Sequence, residues 1–134
     1  MGVMAKDDWD VLYDILLEPS IDDSVYRALS DTQRRYTLYL LVEWGRVFED
    51  ELADILTGWI HADEYRMATP DDRERIHIEL HEIHIPILRE AGLVRYDEQM
   101  ELLSLGEVSP PVGRILDWAR QNERQNTPEP NSES

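Results

Sequence analysis

Three histidines close together in the chain are the residues whose spacing could support chemistry. His77, His81 and His84 lie at positions i, i+4 and i+7, so on a helix their side chains fall within about 60° of one another. Two imidazoles at i and i+4 can chelate zinc or nickel. The run from His77 to His81 differs from H-E-x-x-H, because Glu79 lies roughly 100° further round the helix, and this disfavours metalloprotease chemistry. The three histidines are therefore weak metal-ligand candidates, and no cofactor is expected.

Patterns for nucleophilic catalysis are missing from the sequence. The chain has no cysteine, no G-x-S-x-G and no glycine-rich loop after a predicted strand. Pairs of carboxylates are frequent, but 29 acidic residues among 134 bring acids close together without any catalytic purpose. We expect that the protein is not an enzyme and has no catalytic residue.

Arginines are the second set of side chains with a chemical role to test. Contacts from Lys and Arg to phosphates supply most non-specific affinity for DNA. The candidate DNA-binding residues are Arg34, Arg35, Arg66, Arg73, Arg75, His77 and Arg95. Residues 71–91 nevertheless hold three arginines against six acids, a net charge of −3, and residues 93–105 hold one against three, a net charge of −2. The alternative is that these arginines pair with neighbouring acids on a solvated face.

Hydrophobic periodicity predicts the helices that must position these residues. Trp9, Leu12, Tyr13, Leu16 and Leu17 form one apolar stripe and predict a helix over 8–17. Further helices are predicted after a cap at Asp22 or Asp23, over 32–44 with Gly45 at its end, from about Phe48 to Trp59, over 71–91, and over 111–123. Pro86 removes one backbone hydrogen bond from the helix over 71–91, so we expect a kink there.

The periodicity changes to two after Gly92. Val94 and Tyr96 alternate with polar residues, a turn follows at 97–99, and Met100–Leu105 returns, which predicts a β-hairpin. Because a lone hairpin is marginally stable, it must pack on a helical face. The predicted fold is mainly α with a small β-hairpin: a winged helix-turn-helix with additional N- and C-terminal helices. One domain spans 8–123 with its core at about 22–105, a flexible N-terminus at 1–7 and a disordered tail at 124–134.

Three stretches carry a family resemblance over about residues 25–105. Ala28–Leu41 (ALSDTQRRYTLYLL), Asp50–Leu56 (DELADIL) and Ile85–Asp97 (IPILREAGLVRYD) resemble a haloarchaeal winged helix-turn-helix family of uncharacterised function. The run LREAGLV is also similar to arsenic-repressor-type transcription regulators. The resemblance implies a DNA-binding regulator with its recognition helix at 71–91, and it implies that His84 anchors that helix. Where the repressors carry DNA-contacting polar residues, this chain has Glu79, His81, Glu82 and Ile83.

The end helices have apolar stripes that the winged-helix core does not obviously need. In related regulators the terminal helices build a two-fold dimer, and an isologous dimer is the commonest assembly. The candidate dimer-interface residues are Trp9, Leu12, Leu16, Ile115, Leu116 and Trp118. The alternative is that both helices fold back on their own core.

The acidic composition indicates adaptation to a salty cytosol. The formal net charge is −16, and Lys6 is the single lysine among 13 basic residues. Salt near 1 M shortens the screening length to about 3 Å. The alternative is an acidic protein that mimics nucleic acid. The start of the chain has no apolar core of a signal peptide, and no apolar run is long enough for a membrane span, so a cytoplasmic location is expected.

Three functions follow from these patterns. The first is a homodimeric DNA-binding transcription regulator. The second is a winged-helix protein-interaction module without DNA binding, and the third is a metal-responsive regulator. Arginines that converge on one face would favour the first function, whereas scattered arginines would favour the second.

Overall fold

The computed structural model describes residues 21–62 and 67–124. In chain order the elements are α1 (Asp23–Leu29), α2 (Thr32–Trp44), β1 (Arg46–Phe48), α3 (Glu49–His61), α4 (Pro70–Glu79), a π-helical turn (Leu80–His84), α5 (Ile85–Glu90), β2 (Val94–Asp97), β3 (Leu102–Leu105) and α6 (Pro110–Arg124). From α4 to α5 the helical backbone is continuous, and we call residues 70–90 the long helix. The protein is therefore mainly α with a small sheet. The predicted helix over 8–17 lies outside the described residues, as do residues 1–7 and 125–134.

Side-chain caps define where the helices begin. The carboxylate of Asp22 accepts from the backbone at the start of α1, and that of Asp31 does the same for α2. Thr69 and Asp72 form a reciprocal capping box before the long helix, with Pro70 in its first turn. Gly45 ends α2 with φ of +82°, a conformation that side chains rarely adopt. The predicted starts and the glycine stop of these helices are confirmed.

The sheet has three antiparallel strands in the order β1-β3-β2. The hairpin of β2 and β3 was predicted, but β1 was not: Phe48, predicted to begin a helix, ends this strand instead. Val47 is the only buried residue of β1 and pairs with Leu103 of β3. Three residues are too few to show a period of two, so pairing with β3 decides that this segment is extended.

Pro86 changes the long helix in a specific way. The N–H of Ile85 donates to the carbonyl of Leu80, five residues back, within the π-helical turn. Proline has no N–H and crowds the preceding turn, and one added residue there relieves both problems. Where a kink was expected at Pro86, the structure has a widened turn directly before the proline. Because the widened turn contains one extra residue, the side chains that follow it lie on a helix face displaced by one residue position.

One hydrophobic core joins all the helices and the sheet. Leu38 and Leu41 of α2 lie at its centre, with Leu52 of α3 and Leu103 of β3. Leu116 of α6 is 4 % exposed and belongs to the same core, so α6 packs on its own chain. The prediction of Leu116 as a dimer contact is corrected by this burial. No helix among residues 21–62 and 67–124 combines the length and the apolar character needed to cross a bilayer.

Candidate functional site

A buried carboxylate lies where α3, the long helix and the sheet meet. Glu49, the first residue of α3, is 2 % exposed, and its backbone N–H donates to the carbonyl of Glu101 at 2.8 Å. Its side chain contacts His77 Nε2 at 3.1 Å, His81 Nδ1 at 3.0 Å and the hydroxyl of Tyr96 at 2.5 Å. An ionised carboxylate only accepts hydrogen bonds, so the contacting nitrogen of each imidazole carries the proton. We call these four residues the Glu49 cluster.

Different elements supply the members of the Glu49 cluster. His77 and His81 are one turn apart on the long helix and therefore present their rings on one face. Tyr96 extends from β2, and its ring meets that of His81 edge to face, with centroids 6.3 Å apart. Burial, and then the hydrogen bond to Glu49, raise the pKa of Tyr96. One carboxylate thereby ties the long helix and the sheet to the start of α3.

A groove with a volume of about 620 Å³ opens beside this cluster, between the long helix and the turn that joins β2 to β3. We call it the helix–turn groove. Its lining includes four carboxylates, those of Glu49, Glu74, Glu82 and Glu101. The one arginine of the lining is Arg73, which donates to Asp54 at 2.5 Å. His81 is half exposed and also lines a smaller cavity of about 300 Å³ with Tyr96. The groove is therefore anionic, and the imidazoles of His77 and His81 are also part of its lining.

Arg34 is a structural residue, which corrects its prediction as a phosphate clamp. It is 7 % exposed and donates to the carbonyls of Ala28 at 3.0 Å and Arg27 at 2.9 Å, both in the last turn of α1. Its third contact is His84 Nδ1 at 3.0 Å. Because guanidinium only donates, His84 accepts there and is unprotonated at Nδ1. A phosphate outside the protein cannot reach this buried group.

Arg35 is also held inside the chain and is not a free phosphate clamp. Its guanidinium donates twice to Glu123 of α6, at 2.6 and 3.0 Å, and to the carbonyl of Leu29 at 2.8 Å. The hydroxyl of Tyr39 donates to the other oxygen of Glu123. These bonds attach the last turn of α6 to α2.

The remaining basic candidates have separate contacts. Arg75 approaches Asp72 at 3.4 Å and Arg95 approaches the carbonyl of Leu105 at 3.5 Å, and both side chains are exposed. Arg73, described above, faces α3, and Arg66 lies outside the described residues. Among those described, each predicted arginine therefore has a different partner, and the structure does not gather them into one cationic surface.

The histidine triplet is divided between two places. His77 and His81 belong to the Glu49 cluster, whereas His84 is buried against Arg34 after the π-helical turn. Burial lowers the pKa of His84. Within residues 21–62 and 67–124, no group of three or more His, Cys, Asp or Glu side chains is placed to hold a metal ion.

The predicted dimer residues are divided in a similar way. Ile115, Leu116 and Trp118 of α6 all line an apolar groove, where Ile115 and Trp118 are half-buried and Leu116 is buried against the core. Trp9, Leu12 and Leu16 lie outside the described residues.

Sequence reasoning did not identify Glu49 or Tyr96 as site residues. Glu49 stands in an acidic first turn, where carboxylates normally favour the positive end of the helix dipole while exposed to water. Tyr96 fits the alternation of a strand and shows no further signal. The contact between Glu49 and Tyr96 is recognised only in the tertiary structure, where β1 and the hairpin bring both residues beside the long helix.

Comparison with known proteins gives one finding. The sequence model of a family described as a domain of unknown function (DUF7344) matches residues 26–104, which is more than half of the chain. No curated protein and no solved structure matches the sequence. The matched range includes every member of the Glu49 cluster.

Proposed function

The chain belongs to the DUF7344 family, and we propose that it is a winged helix-turn-helix protein-interaction module that binds a basic segment of a partner in the helix–turn groove. The observation that carries this proposal is the groove itself, whose carboxylates outnumber its one internally paired arginine. A cationic partner gains charge-assisted hydrogen bonds there.

The order of the elements supports the winged-helix part of the proposal. Helices α2, α3 and the long helix are followed directly by the β2–β3 hairpin. Strand β1, which lies between α2 and α3 in the chain, adds a third strand to the sheet. The hairpin packs beside the long helix through α5 and β2. A helix group followed by a hairpin that packs beside its last helix supports a winged helix-turn-helix.

The sign of the exposed charge favours a protein partner over DNA. Phosphate binding requires free cations, but Arg34 is buried, Arg35 is bound to Glu123, and Arg73 is bound to Asp54. Arg89 of the long helix lies over the ring of Tyr96, 5.7 Å from its centroid. DNA would meet mainly carboxylates on the long helix and the turn, and it would be repelled.

Exposed apolar side chains near the groove define the partner further. Ile78 lines the groove and is 55 % exposed, and Met100 in the hairpin turn is equally exposed. Ile83, further along the long helix, is 46 % exposed. A segment with arginines or lysines around an apolar residue would satisfy both the charge and the apolar surface.

Fluorescence anisotropy with defined probes tests the proposal. The probe is a labelled decapeptide of alternating Arg and Leu, and its control is the same length of alternating Glu and Leu, both at low and at molar KCl. We expect the Arg peptide to bind and the Glu peptide not to bind. The triple variant Glu74→Gln, Glu82→Gln, Glu101→Gln should weaken binding on the order of tenfold, since exposed ion pairs contribute about 0.2–1 kcal/mol each.

A matched variant separates groove binding from general attraction to an acidic protein. Asp23→Asn, Glu90→Gln, Glu107→Gln removes the same charge from exposed positions that do not line the groove. We expect it to bind the Arg peptide as the wild type does. Equal losses in both triple variants would contradict the groove as the binding site.

A homodimeric DNA-binding regulator is the second candidate, favoured by the long helix beside a hairpin. It requires Arg75 and Arg95, the exposed arginines of these elements, to contact phosphates. Selection of genomic fragments on the protein at molar KCl tests it. Enrichment of one sequence, lost in Arg75→Ala, Arg95→Ala, would replace the interaction-module proposal, and recovery of no sequence would exclude DNA binding under these conditions.

A further inference from the structure

The side of the sheet that points away from the core carries two exposed arginines. Val47 and Leu103 are buried and directly paired, so the alternate residues of the strands point to the opposite side. We call this side the outer sheet face. It consists of two rows across the three strands, first Arg46, Ser104 and Arg95, then Phe48, Leu102 and Asp97. Both arginines are exposed, and the ring of Phe48 is 48 % exposed. In an acidic chain this face therefore combines cations with apolar surface.

Neither arginine of the outer sheet face is paired with a carboxylate in the part of the chain that the structure describes. The side chain of Arg46 has no hydrogen bond or ion pair there, and that of Arg95 reaches the carbonyl of Leu105 at 3.5 Å. Asp97 is bound by the hairpin turn instead, since its carboxylate accepts from the backbone N–H of Gln99 at 3.0 Å. Both guanidinium groups can therefore bind the carboxylates of a partner.

The outer sheet face and the helix–turn groove match in spacing. Arg46 and Arg95 are two strands apart, which separates their backbones by about 10 Å. Glu74 and Glu82 of the groove are eight residues apart on the long helix, or about 12 Å along its axis. Ile78 lies midway between them and is 55 % exposed. Two cations beside apolar surface thus have nearly the spacing of two carboxylates around an apolar residue.

We propose that the partner is a second copy of the protein, whose outer sheet face docks in the helix–turn groove of the first copy. This inference rests on the proposed function, which requires arginines around an apolar residue in that groove. The arginines of one copy face Glu74 and Glu82 of the other, and Phe48 covers Ile78. The contact then has an apolar centre and a charged rim, as specific interfaces do.

The contact joins two different surfaces and is therefore heterologous. Each copy in a pair keeps one unoccupied groove or one unoccupied sheet face, so further copies can add. The net charge of −16 repels a second copy at low ionic strength. Salt near 1 M shortens the screening length to about 3 Å, which removes the long-range repulsion but preserves attraction between groups in contact. We expect association at molar KCl.

Two variants that each disable one surface test this inference. The face variant is Arg46→Ser, Arg95→Ser, and the groove variant is the triple glutamine variant of Glu74, Glu82 and Glu101 defined above. Sedimentation velocity at molar KCl, from micromolar to millimolar protein, measures association of the full chain. Circular dichroism verifies that both variants are folded.

A matched control separates the outer sheet face from a general loss of positive charge. Arg27→Ser, Arg114→Ser removes the same charge from exposed positions on α1 and α6. We expect the wild type and this control to associate, and the face and groove variants each to lose about tenfold in association constant, since each loses at least two exposed ion pairs.

An equimolar mixture of the face and groove variants should recover association, mainly as pairs. The intact sheet face of the groove variant then meets the intact groove of the face variant, and the two altered surfaces prevent further growth. Association that persists in the face variant, an equal loss in the control, or a mixture without pairs would overturn the proposal.

The Arg–Leu peptide distinguishes failure of this inference from failure of the proposed function. The face variant keeps its groove and should bind the peptide, and the peptide should dissociate assemblies of the wild type. A wild type that binds the peptide but stays monomeric would overturn the second copy as the partner and leave another basic protein as the occupant. A wild type that neither associates nor binds the peptide would overturn both proposals.

Discussion

Replacing Glu49 by Gln should destabilise the protein through loss of one buried acceptor. The carboxylate accepts from His77, His81 and Tyr96, and an amide of the same shape keeps one acceptor oxygen and directs an NH₂ toward the remaining donors. Hydrogen bonds to a charged group contribute about 1.5–3 kcal/mol each. His77 and His81 are 29 % and 50 % exposed and can turn to water, so most of the loss comes from the bond to Tyr96. We expect about 2–3 kcal/mol in total.

Urea denaturation at molar KCl measures this change in the free energy of unfolding. Glu51→Gln is the control, because Glu51 is exposed in the first turn of the same helix, and it should leave the midpoint almost unchanged. In a double-mutant cycle with Tyr96→Phe, the coupling to Glu49 should be about 1.5–2 kcal/mol, most of the total loss. Stability of Glu49→Gln equal to that of Glu51→Gln would refute the inference that the Glu49 cluster joins the helix to the sheet.

Two further changes test other parts of the fold. Burial lowers the pKa of His84, so the unfolded chain binds a proton first and stability falls as the pH drops below about 6.5. His84→Gln keeps an acceptor for Arg34 and should reduce this slope in melting temperatures taken from pH 8 to pH 5, and an unchanged slope would contradict the assignment. Gly106→Ala would place a Cβ in steric conflict with the carbonyl oxygen of Gly92, so we expect a loss of about 1–3 kcal/mol. Gly113→Ala in α6 has room for its Cβ and is the thermal-melt control, and equal melting temperatures would exclude the close contact.

The long helix shows how much of the fold was predictable. Its start near Pro70 and a disturbance of the backbone at Pro86 could be predicted because both arise from residues within a few positions of each other, whereas the Thr69 cap was not predicted. The alternation at Val94 and Tyr96 likewise predicts the hairpin. The short strand β1 was missed, because it is extended only by pairing with β3, more than fifty residues later in the chain.

The sequence by itself determined which residues form helices and the hairpin, because caps, turns and apolar periods act over a few residues. Only the tertiary structure decided which polar groups meet. Glu49 and Tyr96 are 47 residues apart, Arg35 and Glu123 are 88 apart, and His84 and Arg34 are 50 apart. These contacts depend on how distant elements pack and on the one-residue shift of the π-helical turn. Local sequence patterns indicate whether a residue faces the core, but they do not indicate which distant residue it contacts. Arginines that were predicted to bind DNA because of their residue type therefore proved to bind groups within the protein.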